Sequence, residues 1–317
     1  MDTRGRSSTM EGTVFCVPSV TAVIPFYGDP GDTLRLIAQL RTDPPPCLAE
    51  IIVVDDASPV PFPSLPVEGD PGLAVTVARR PENGGFGSAV NTGLDQVHTP
   101  LALVLNSDVE ITGQDIEALV AGAQPWQPAV VSPQVVNEDG TPQWSGRHFP
   151  TILHQTVEWL TPLARFRHLP QLHEAVGHDV VAAASDHPVA VDWVMGAVML
   201  LPLDQVQEVG GFDEDFHMNS EEVDLQRRLR ELGVPSVVIP QIRVVHAGGG
   251  SSDPARRRRW LVDSRAHYAR KWGHPRVLKG SLLAATGVNF AVNTVRQLRG
   301  TDVDARAVLR QELGLLR

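Results

Sequence analysis

The sequence predicts an α/β protein with a Rossmann-like, mostly parallel central sheet flanked by helices. Short apolar runs such as Val20–Phe26 and Leu101–Leu105 are typical of strands buried on both faces of a parallel sheet. Segments with helical spacing lie between the runs, and polar or acidic residues stand directly after them. This alternation favours the class because consecutive parallel strands need crossover connections, which are usually helical.

The first helix and the second strand follow this pattern closely. A helix is predicted at residues 33–40, where apolar side chains recur at helical spacing, and the prolines at 44–46 end it. Residues 51–54 form the second apolar strand, which ends in Asp55 and Asp56. Two carboxylates at the end of a parallel strand face the crevice in which α/β proteins bind their ligands.

A glycine-rich segment follows the third predicted strand, at residues 73–78. The sequence at 83–87 is NGGFG, and it opens a helical pattern. Glycines before a helix allow the backbone to approach a ligand closely. Gly85 and Gly87 have the spacing of a dinucleotide fingerprint, but Val90 stands at its third glycine position, so the Rossmann signature is weak.

The stretch that organises the chain is Leu101–Leu105 with the polar residues Asn106, Ser107 and Asp108 directly after it. A carboxylate at this end of a parallel strand is well placed to hold a divalent cation against a phosphorylated ligand. The alternative is that the three residues form an ordinary turn after a strand. Asp108 is therefore the first candidate metal ligand.

The middle of the chain continues the α/β pattern. A helix is predicted at residues 115–123 and a strand at 129–136. The apolar run at 189–201 is interrupted by Gly196, as a close approach of the backbone to a ligand requires. This run is too short and too interrupted to span a membrane.

An acidic helix is predicted from Ser220, whose side chain would cap it, to the terminator Gly233. Its first turn holds Glu221, Glu222 and Asp224. The helix dipole favours negative charge there, which explains the glutamates without any chemistry. Alternatively, repulsion among three neighbouring carboxylates keeps one of them basic enough to accept a proton.

A single histidine is the second candidate metal ligand. Strands are predicted at residues 234–240 and 242–245, and the second delivers His246 before a run of glycines. Because a lone histidine is more often a structural residue than a ligand, His246 matters only together with Asp108.

Composition limits the class of protein and its compartment. A chain of 317 residues with 42% hydrophobic content buries a substantial core. The two cysteines, Cys16 and Cys47, do not suggest a disulfide framework, so we expect a reducing, cytoplasmic compartment. The N-terminal residues 1–18 lack the apolar core of a signal peptide, and we expect a flexible tail there.

The charge is distributed unevenly. Residues 1–253 hold 13 Lys and Arg against 33 Asp and Glu, whereas residues 254–317 hold 14 against 4. The C-terminal part is thus +10 and the rest −20, although the whole chain is −10. We expect a basic helical extension at 256–317 that meets an anionic partner such as a membrane surface; the alternative is a basic face folded against the acidic body.

The ordered motifs resemble those of inverting family-2 nucleotide-sugar glycosyltransferases of the GT-A fold. The resemblance covers roughly residues 20–252, within an expected domain at 19–255. It rests on the segments AVIPFYG, IIVVDDAS, NGGFGSAVNTGL, LVLNSDVEI, WVMGAVMLL, GGFDEDFHMNSEEVDL and VVHAGGGSS, which stand in the family's order. The segment EDGTPQWSGRHFPT further resembles rhamnosyltransferases that extend a polyprenyl-diphosphate-linked sugar.

The resemblance implies a nucleotide pocket, a metal site and a catalytic base. The residues implied to border the nucleotide are Pro25, Asp55, Asp56, Asn83, Gly85, Asn91, Asn106 and Ser107. The residues implied at the reaction centre are the metal ligands Asp108 and His246, the base Glu222 with its acidic neighbours Glu221 and Asp224, and the pocket residues Trp193 and Gly196. The cofactor implied is Mg²⁺ or Mn²⁺. Family members commonly have Asp where this chain has Asn106, and Asp where it has Glu222.

The implied reaction is transfer of a sugar, rhamnose being the leading guess, from a dTDP- or UDP-sugar to a hydroxyl of a glycan or lipid-linked acceptor in cell-envelope polysaccharide synthesis. Such an enzyme would be cytoplasmic and peripheral on the inner face of the cell membrane, with no nucleic-acid partner; no oligomeric state is indicated. Two alternatives are a catalytically silent sugar-nucleotide-binding protein and an oxidoreductase. The carboxylate of Glu222 argues against the first, and the missing third glycine argues against the second.

Overall fold

A computed structural model describes residues 20–65, 72–248 and 253–317. The tail expected at residues 1–18, which includes Cys16, lies outside the described residues, as do the last residues of the VVHAGGGSS segment, 249–252.

Eleven strands and eleven α-helices are assigned in the described residues. The strands are β1 (Val20–Phe26), β2 (Leu48–Asp55), β3 (Ala74–Arg79), β4 (Leu101–Leu105), β5 (Val109–Glu110), β6 (Val130–Val136), β7 (Gly146–Arg147), β8 (Val189–Val191), β9 (Trp193–Val194), β10 (Val198–Pro202) and β11 (Ser236–His246). The helices are α1 (Gly31–Thr42), α2 (Phe86–Leu94), α3 (Gly113–Ala123), α4 (Ile152–Trp159), α5 (Pro170–Ala175), α6 (Val180–Ala184), α7 (Leu203–Glu208), α8 (Glu221–Glu231), α9 (Pro254–Trp272), α10 (Pro275–Leu298) and α11 (Ala305–Leu315).

The central sheet has nine strands, and its main path runs β3-β2-β1-β4-β10-β6-β11-β5, with β8 paired to β11. The first four strands along this path are parallel, as the apolar runs predict. Beyond β4 the sheet is mixed, because β10 runs antiparallel to both of its neighbours while β11 is parallel to β6. The parallel half carries the strand ends to which the sequence assigns the nucleotide.

Helices cover both faces of the sheet, so that it is buried as an α/β sheet must be. One apolar layer joins the sheet to α1 and α3 through residues such as Leu36 and Ile116. The other joins it to α2, α7 and α8 through residues such as Val90, Val206 and Leu225. The spacing of apolar residues along each helix therefore places its inner face on the sheet.

The structure corrects one strand prediction and divides one apolar run. The strands predicted at 234–240 and 242–245 are one strand, β11, in which a register shift between Ile239 and Arg243 takes up the irregularity at Pro240. The apolar run at 189–201 contains three strands, because the chain leaves the central sheet at β9 and returns to it at β10. Gly196 lies in the break between those two strands.

The C-terminal extension is helical and packs against the rest of the protein. The Ser264 hydroxyl in α9 donates to the Met218 carbonyl at 2.7 Å. Lys271 pairs with Asp213 at 2.6 Å, and Arg265 pairs with Glu158. Part of the basic charge is thus neutralised by the acidic body, which was the alternative to an anionic partner.

A separate small core holds the last helices together. Leu278 and Leu282 of α10 pack with Trp159 of α4 and with Leu315 of α11. None of the described helices is long and apolar enough to cross a membrane.

Candidate active site

A cavity of about 1230 Å³ opens at the carboxyl ends of β1, β2 and β4. The α8 entry loop and α9 close its other side. Most of the residues predicted to bind the nucleotide or a metal line it: Pro25, Asp56, Asn83, Gly85, Asn106, Ser107, Asp108 and His246. A cavity at the strand ends of a parallel sheet is where α/β proteins bind nucleotides.

The two aspartates after β2 have different roles. Asp56 lines the cavity and accepts hydrogen bonds from the N–H groups of Gly84 and Gly85 at 3.0 and 2.8 Å. Its carboxylate also pairs with Arg80 at 2.9 Å. Asp56 therefore holds the glycine-rich segment against the strand end.

Asp55, by contrast, does not line the cavity, although it was predicted to border the nucleotide. Its buried carboxylate accepts from the backbone N–H groups of Ser58 and Phe62 and from Arg79. Burial raises the pKa of this carboxyl, but the hydrogen bonds outweigh that effect and hold the pKa below its ordinary value. Its contacts are with the loop after β2.

Asn91, also predicted to border the nucleotide, likewise contacts other parts of the protein. Its side-chain amide donates to the Phe212 carbonyl at 2.9 Å and accepts from the Phe212 N–H at 2.8 Å. The same amide contacts Glu214 at 3.0 Å. Asn91 therefore ties α2 to the loop before α8, and of the predicted nucleotide residues only Asp55 and Asn91 are absent from the described cavity lining.

Gly85 is required by geometry at the cavity wall. Its φ of +90° disfavours any residue with a Cβ, and a Cβ there would lie 1.7 Å from the His217 carbonyl oxygen. The glycine-rich segment thus packs directly on the loop that leads into α8. This contact brings the two predicted halves of the site together.

Asp108 and His246 meet at the cavity, although 138 residues separate them in the chain. The Asp108 carboxylate lies 3.2 Å from His246 Nε2. Burial raises the pKa of Asp108, but the hydrogen bond and positive charge of His246, together with the Gly248 N–H, hold that pKa below its ordinary value. Asp108 is accordingly kept as the anion that a hard cation prefers.

The surroundings of His246 fit a metal ligand. Its Nδ1 lies 2.8 Å from the Gln143 side-chain oxygen, which holds the ring with Nε2 toward Asp108. Since a metal-bound imidazole is neutral, a cation at this place would displace the proton that otherwise bonds Nε2 to Asp108. Asn106 supplies an amide nitrogen 3.2 Å from the same Nε2. Asp108 and His246 therefore bring one carboxylate oxygen and one imidazole nitrogen, both common metal-binding atoms, to the same side of the cavity.

A second acidic group lies outside this cavity. Ligand atoms of Asp213, Asp215 and His267 lie within 4.8 Å of one another. Asp213 is already paired with Lys271 at 2.6 Å and bonded to the Asp215 N–H. These contacts account for the group without a metal.

Glu222 borders a smaller cavity of about 150 Å³ that adjoins the large one. The two cavities share lining residues, namely Glu158, Asn219, Leu261 and Arg265. One carboxylate oxygen of Glu222 is buried and has no hydrogen-bond partner among the described residues. This carboxylate thus stands beside the large cavity with an oxygen available to accept a proton.

A two-stranded sheet forms part of the wall of the small cavity. In it β7 and β9 are antiparallel, and Arg147 is paired with Trp193. The Arg147 guanidinium lies 5.2 Å from the Trp193 ring centre, and both residues line the cavity with Glu222. Gly196, which was predicted to shape the same pocket, lines neither described cavity; a Cβ there would lie 3.5 Å from the Phe86 ring and 3.9 Å from Glu222 Cγ.

The three carboxylates at the start of α8 have different environments. Burial, and then the charge of Glu222, raises the pKa of Glu221 well above its usual value. Burial also raises the pKa of Glu222, but the helix N–H groups and Arg147 oppose the effect. Asp224 is fully buried, and Arg228, Lys271 and Trp272 bond to it at 2.6 to 3.0 Å. Of the three, only Glu222 lines a described cavity.

The predicted cap of α8 is wrong in its mechanism. Ser220 is the N-cap residue, but its φ of 69° is left-handed, and its side chain makes no capping hydrogen bond. A capping side chain needs extended backbone at that position. Asn219 also has a positive φ, of 70°, so the entry to the helix is strained directly before the glutamates.

Sequence reasoning missed several cavity residues. Tyr27 follows the first strand, and Arg167, Arg256 and Arg258 face the cavity from segments after the parallel half. The charge excess of the C-terminal extension was the available signal for the last two. Arg147 had no signal of its own, because it lies in a two-residue strand.

Comparison with known proteins identifies the family. The sequence profile of Glycosyl transferase family 2 matches residues 21–184, just over half of the chain. The chain belongs to glycosyl transferase family 2. The matched segment contains Asp108, whereas Glu222 and His246 of this family-2 chain lie beyond it.

Two relatives of this family-2 chain come from Mycobacterium tuberculosis. It is 29% identical over 235 residues to the pre-mycofactocin glycosyltransferase. The aligned region covers 72% of this chain but only 42% of the relative's length. It is 27% identical over 264 residues to the N-acetylglucosaminyl-diphospho-decaprenol L-rhamnosyltransferase, covering 74% of this chain and 79% of the relative.

Solved structures of glycosyltransferases share the fold and confirm the expected GT-A architecture. GalNAc-T7 with UDP, GalNAc and Mn²⁺ superposes with a TM-score of 0.55 at 14% identity, covering 95% of this chain and 55% of that one. The mannosyltransferase PcManGT from Pyrobaculum calidifontis, in complex with GDP-Man and Mn²⁺, also has a TM-score of 0.55, at 16% identity, covering 94% and 85%.

The buried Glu221 should make the stability of this family-2 chain depend on pH. A carboxyl whose pKa is raised on folding stabilises the fold below its unfolded pKa, and this contribution is lost as the pH rises through the folded pKa. Glu221→Gln should therefore unfold roughly 2–4 °C above the wild type at pH 8, with the difference shrinking toward pH 4.5. Differential scanning calorimetry across this range measures it.

The matched control is Glu231→Gln, at an exposed position on the same helix. It should leave the melting temperature unchanged at every pH. A melting-temperature difference for Glu221→Gln that stays constant from acidic to alkaline pH would contradict the assignment of the raised pKa.

Proposed function

We propose that the chain is an inverting glycosyltransferase that moves a sugar from a nucleoside-diphosphate donor to an acceptor hydroxyl. The observation that carries this proposal is the position of the Glu222 carboxylate, one oxygen of which has no partner among the described residues. It stands beside the cavity whose wall holds Asp108, His246 and the glycine-rich segment. Sugar transfer needs a proton acceptor beside a pocket that holds the nucleotide and, through two metal-binding side chains, a cation.

The chemistry proposed is a single displacement. Glu222 removes the proton from the acceptor hydroxyl while that oxygen attacks the anomeric carbon from the face opposite the leaving group. The bond from that carbon to the diphosphate breaks, the configuration inverts, and the nucleoside diphosphate leaves with the electron pair. A divalent cation held by Asp108 and His246 would supply Lewis-acid stabilisation of the leaving diphosphate.

Arg147 positions and tunes the proposed base. Its positive charge favours the ionised form of Glu222 and so opposes the effect of burial on that pKa. Bonds to the Trp144 and Gln143 carbonyls fix the guanidinium beneath Trp193. Burial raises the pKa of Glu222 and Arg147 favours its ionised form, and these are the two properties that a general base needs.

The leading donor is dTDP-rhamnose, and more broadly a dTDP- or UDP-sugar. The proposal is supported by the segment EDGTPQWSGRHFPT, which contains Arg147, and by the similarity to a relative named as an L-rhamnosyltransferase. Arg167, Arg256 and Arg258 line the same cavity, where guanidinium groups suit diphosphates of the donor or of a diphosphate-linked acceptor.

We place the acceptor among cell-envelope glycans, with a lipid-diphosphate-linked sugar as the leading class. The named relative acts on such a decaprenol-linked molecule. We further propose that the protein is cytoplasmic and works on the inner face of the cell membrane. The net charge of +10 over residues 254–317 suits attachment to an anionic leaflet.

Donor preference is testable by thermal shift, because a ligand that binds the folded state raises its apparent stability. We expect dTDP-rhamnose or a UDP-sugar, with Mn²⁺ or Mg²⁺, to raise the melting temperature more than GDP-sugars do. Release of nucleoside diphosphate in the presence of an acceptor then distinguishes a transferase from a silent binder. A shift seen with GDP-sugars alone would overturn the donor assignment.

The metal assignment predicts the same defect in two variants. Asp108→Ala and His246→Ala should each weaken divalent-dependent nucleotide binding by roughly tenfold or more, because each removes one ligand. Isothermal titration with nucleoside diphosphate, with and without Mn²⁺, measures the effect. Asp213→Ala, which alters the acidic group outside the cavity, is the control and should retain the Mn²⁺ effect. Metal-dependent binding that survives in both cavity variants would refute the shared site.

The base assignment predicts a selective loss of turnover. Glu222→Gln keeps the shape of the side chain but cannot accept a proton, so transfer should fall roughly 10²-fold or more while donor binding is retained. Glu222→Asp keeps a carboxylate and should retain measurable transfer at a reduced rate. Steady-state kinetics with donor titration separates the two effects.

Glu221→Gln is the matched control, since Glu221 lines neither described cavity. Its turnover should stay within a few-fold of the wild type. Near-normal transfer by Glu222→Gln together with an inactive Glu221→Gln would move the base assignment to Glu221.

A further inference from the structure

Helix α10 carries apolar residues on both faces: Leu278 and Leu282 pack inward, and a second apolar row faces outward. Its buried face includes Asn289 and Asn293, which are 0% and 4% exposed, whereas Val288, Val295 and Leu298 are 51%, 47% and 82% exposed. A surface helix of a soluble protein normally turns its apolar residues inward and its polar residues toward water. Both asparagines face the fold rather than the solvent.

Hydrogen bonds fix this orientation. The Asn289 amide donates to both carboxylate oxygens of Glu312 at 3.1 and 3.2 Å and to the Trp159 carbonyl at 3.0 Å, and its oxygen accepts from the Thr161 N–H. The Trp159 indole donates to the Thr286 hydroxyl at 2.9 Å. Turning the helix over would leave these buried groups unpaired, which is costly.

The outer face is continuous along the helix. Between Lys279 and Arg296 every exposed residue is apolar or small: Gly280, Leu283, Ala284, Gly287, Val288, Ala291 and Val295. Val277 and Leu298 extend this row toward the two ends of the helix. With 24 residues, α10 is about 36 Å long. No charged residue stands between Lys279 and Arg296. The molecule therefore presents one long apolar strip.

Basic residues flank this strip at both ends. Arg276 and Lys279 are exposed at its start, and Arg296 and Arg299 at its end, while α10 contains no Asp or Glu. A second copy of the chain packed on this face would bring basic ends together in either orientation. An anionic bilayer instead takes apolar side chains into its interface and attracts the flanking cations.

We propose that the outer face of α10 docks the protein on an anionic lipid bilayer, with the helix lying in the interface. This inference rests on the peripheral location in the proposed function, and it names the surface responsible. It does not depend on the sugar, the donor or the base.

Vesicle flotation of the full-length chain tests the proposal. The wild type should bind vesicles of phosphatidylglycerol and phosphatidylcholine and should bind phosphatidylcholine alone weakly. Val288→Asp combined with Val295→Asp should lower binding by about tenfold or more, because each change places a charge at the interface. Val181→Asp is the matched control, since Val181 is an apolar residue that is 74% exposed outside this helix. It should bind as the wild type does.

A charge variant tests the flanking residues. Arg276, Lys279, Arg296 and Arg299 changed together to Gln should weaken binding at low salt and reduce its salt dependence. Circular dichroism and calorimetry check that every variant is folded. If the folded aspartate variant binds as well as the wild type, the apolar face has no role and the proposal fails.

Analytical sedimentation tests the other possible occupant of this face, a second copy of the chain. If the wild type is a dimer that ignores vesicles and the aspartate variant is a monomer, the face is a contact between copies and the lipid proposal is overturned. Vesicle binding without sugar transfer would overturn the proposed function and leave this inference standing. Transfer to a soluble acceptor without vesicle binding would overturn this inference and leave the proposed function standing.

Discussion

The position of the C-terminal helices depends on a buried carboxylate. Asp224 is inaccessible to solvent, and a charge in such a place is tolerated only when donors surround it. Arg228 supplies one donor from the same helix, but Lys271 and Trp272 come from the end of α9. The hydrogen bonds of Asp224 therefore hold α9 against α8. The arginines of α9 that line the large cavity are held in place with it.

The same helix start gives its three carboxylates different properties. Asp224 is surrounded by donors, whereas Glu221 and Glu222 each keep one buried oxygen without a partner among the described residues. Glu221 packs against α2, and only Glu222 lines a described cavity. A fold can make one of several neighbouring acids a base by placing them in environments that separate their pKa values. Asn219 and Ser220 have positive φ, so the backbone is strained directly before α8, and this turn sets the direction of the first residues of the helix.

The sequence predicts the parallel half of the fold well, because buried strands require apolar runs and helices require their own spacing. It also predicts Asp108 and His246 as one site, although only the pairing of β5 with the end of β11 brings them together. It cannot separate Asp55 from Asp56. Adjacent residues at the end of a strand point in opposite directions, so one binds its own loop and the other faces the cavity. Tertiary packing decides which is which.

The C-terminal helices show where pattern reading fails for a physical reason. A hydrophobic pattern indicates which face of a helix is apolar, and it is usually assumed that this face is the inner one. In α10 a hydrogen-bonded asparagine and its Glu312 partner lie on the inner face beside Leu278 and Leu282, and a second row of apolar residues is left outside. Since α10 directly follows α9, the arginines of α9 and the apolar strip lie on consecutive helices, the first fixed to the body through Asp224 and the second through Asn289. Recognition of a diphosphate and docking on lipid would then be coupled through this pair of helices.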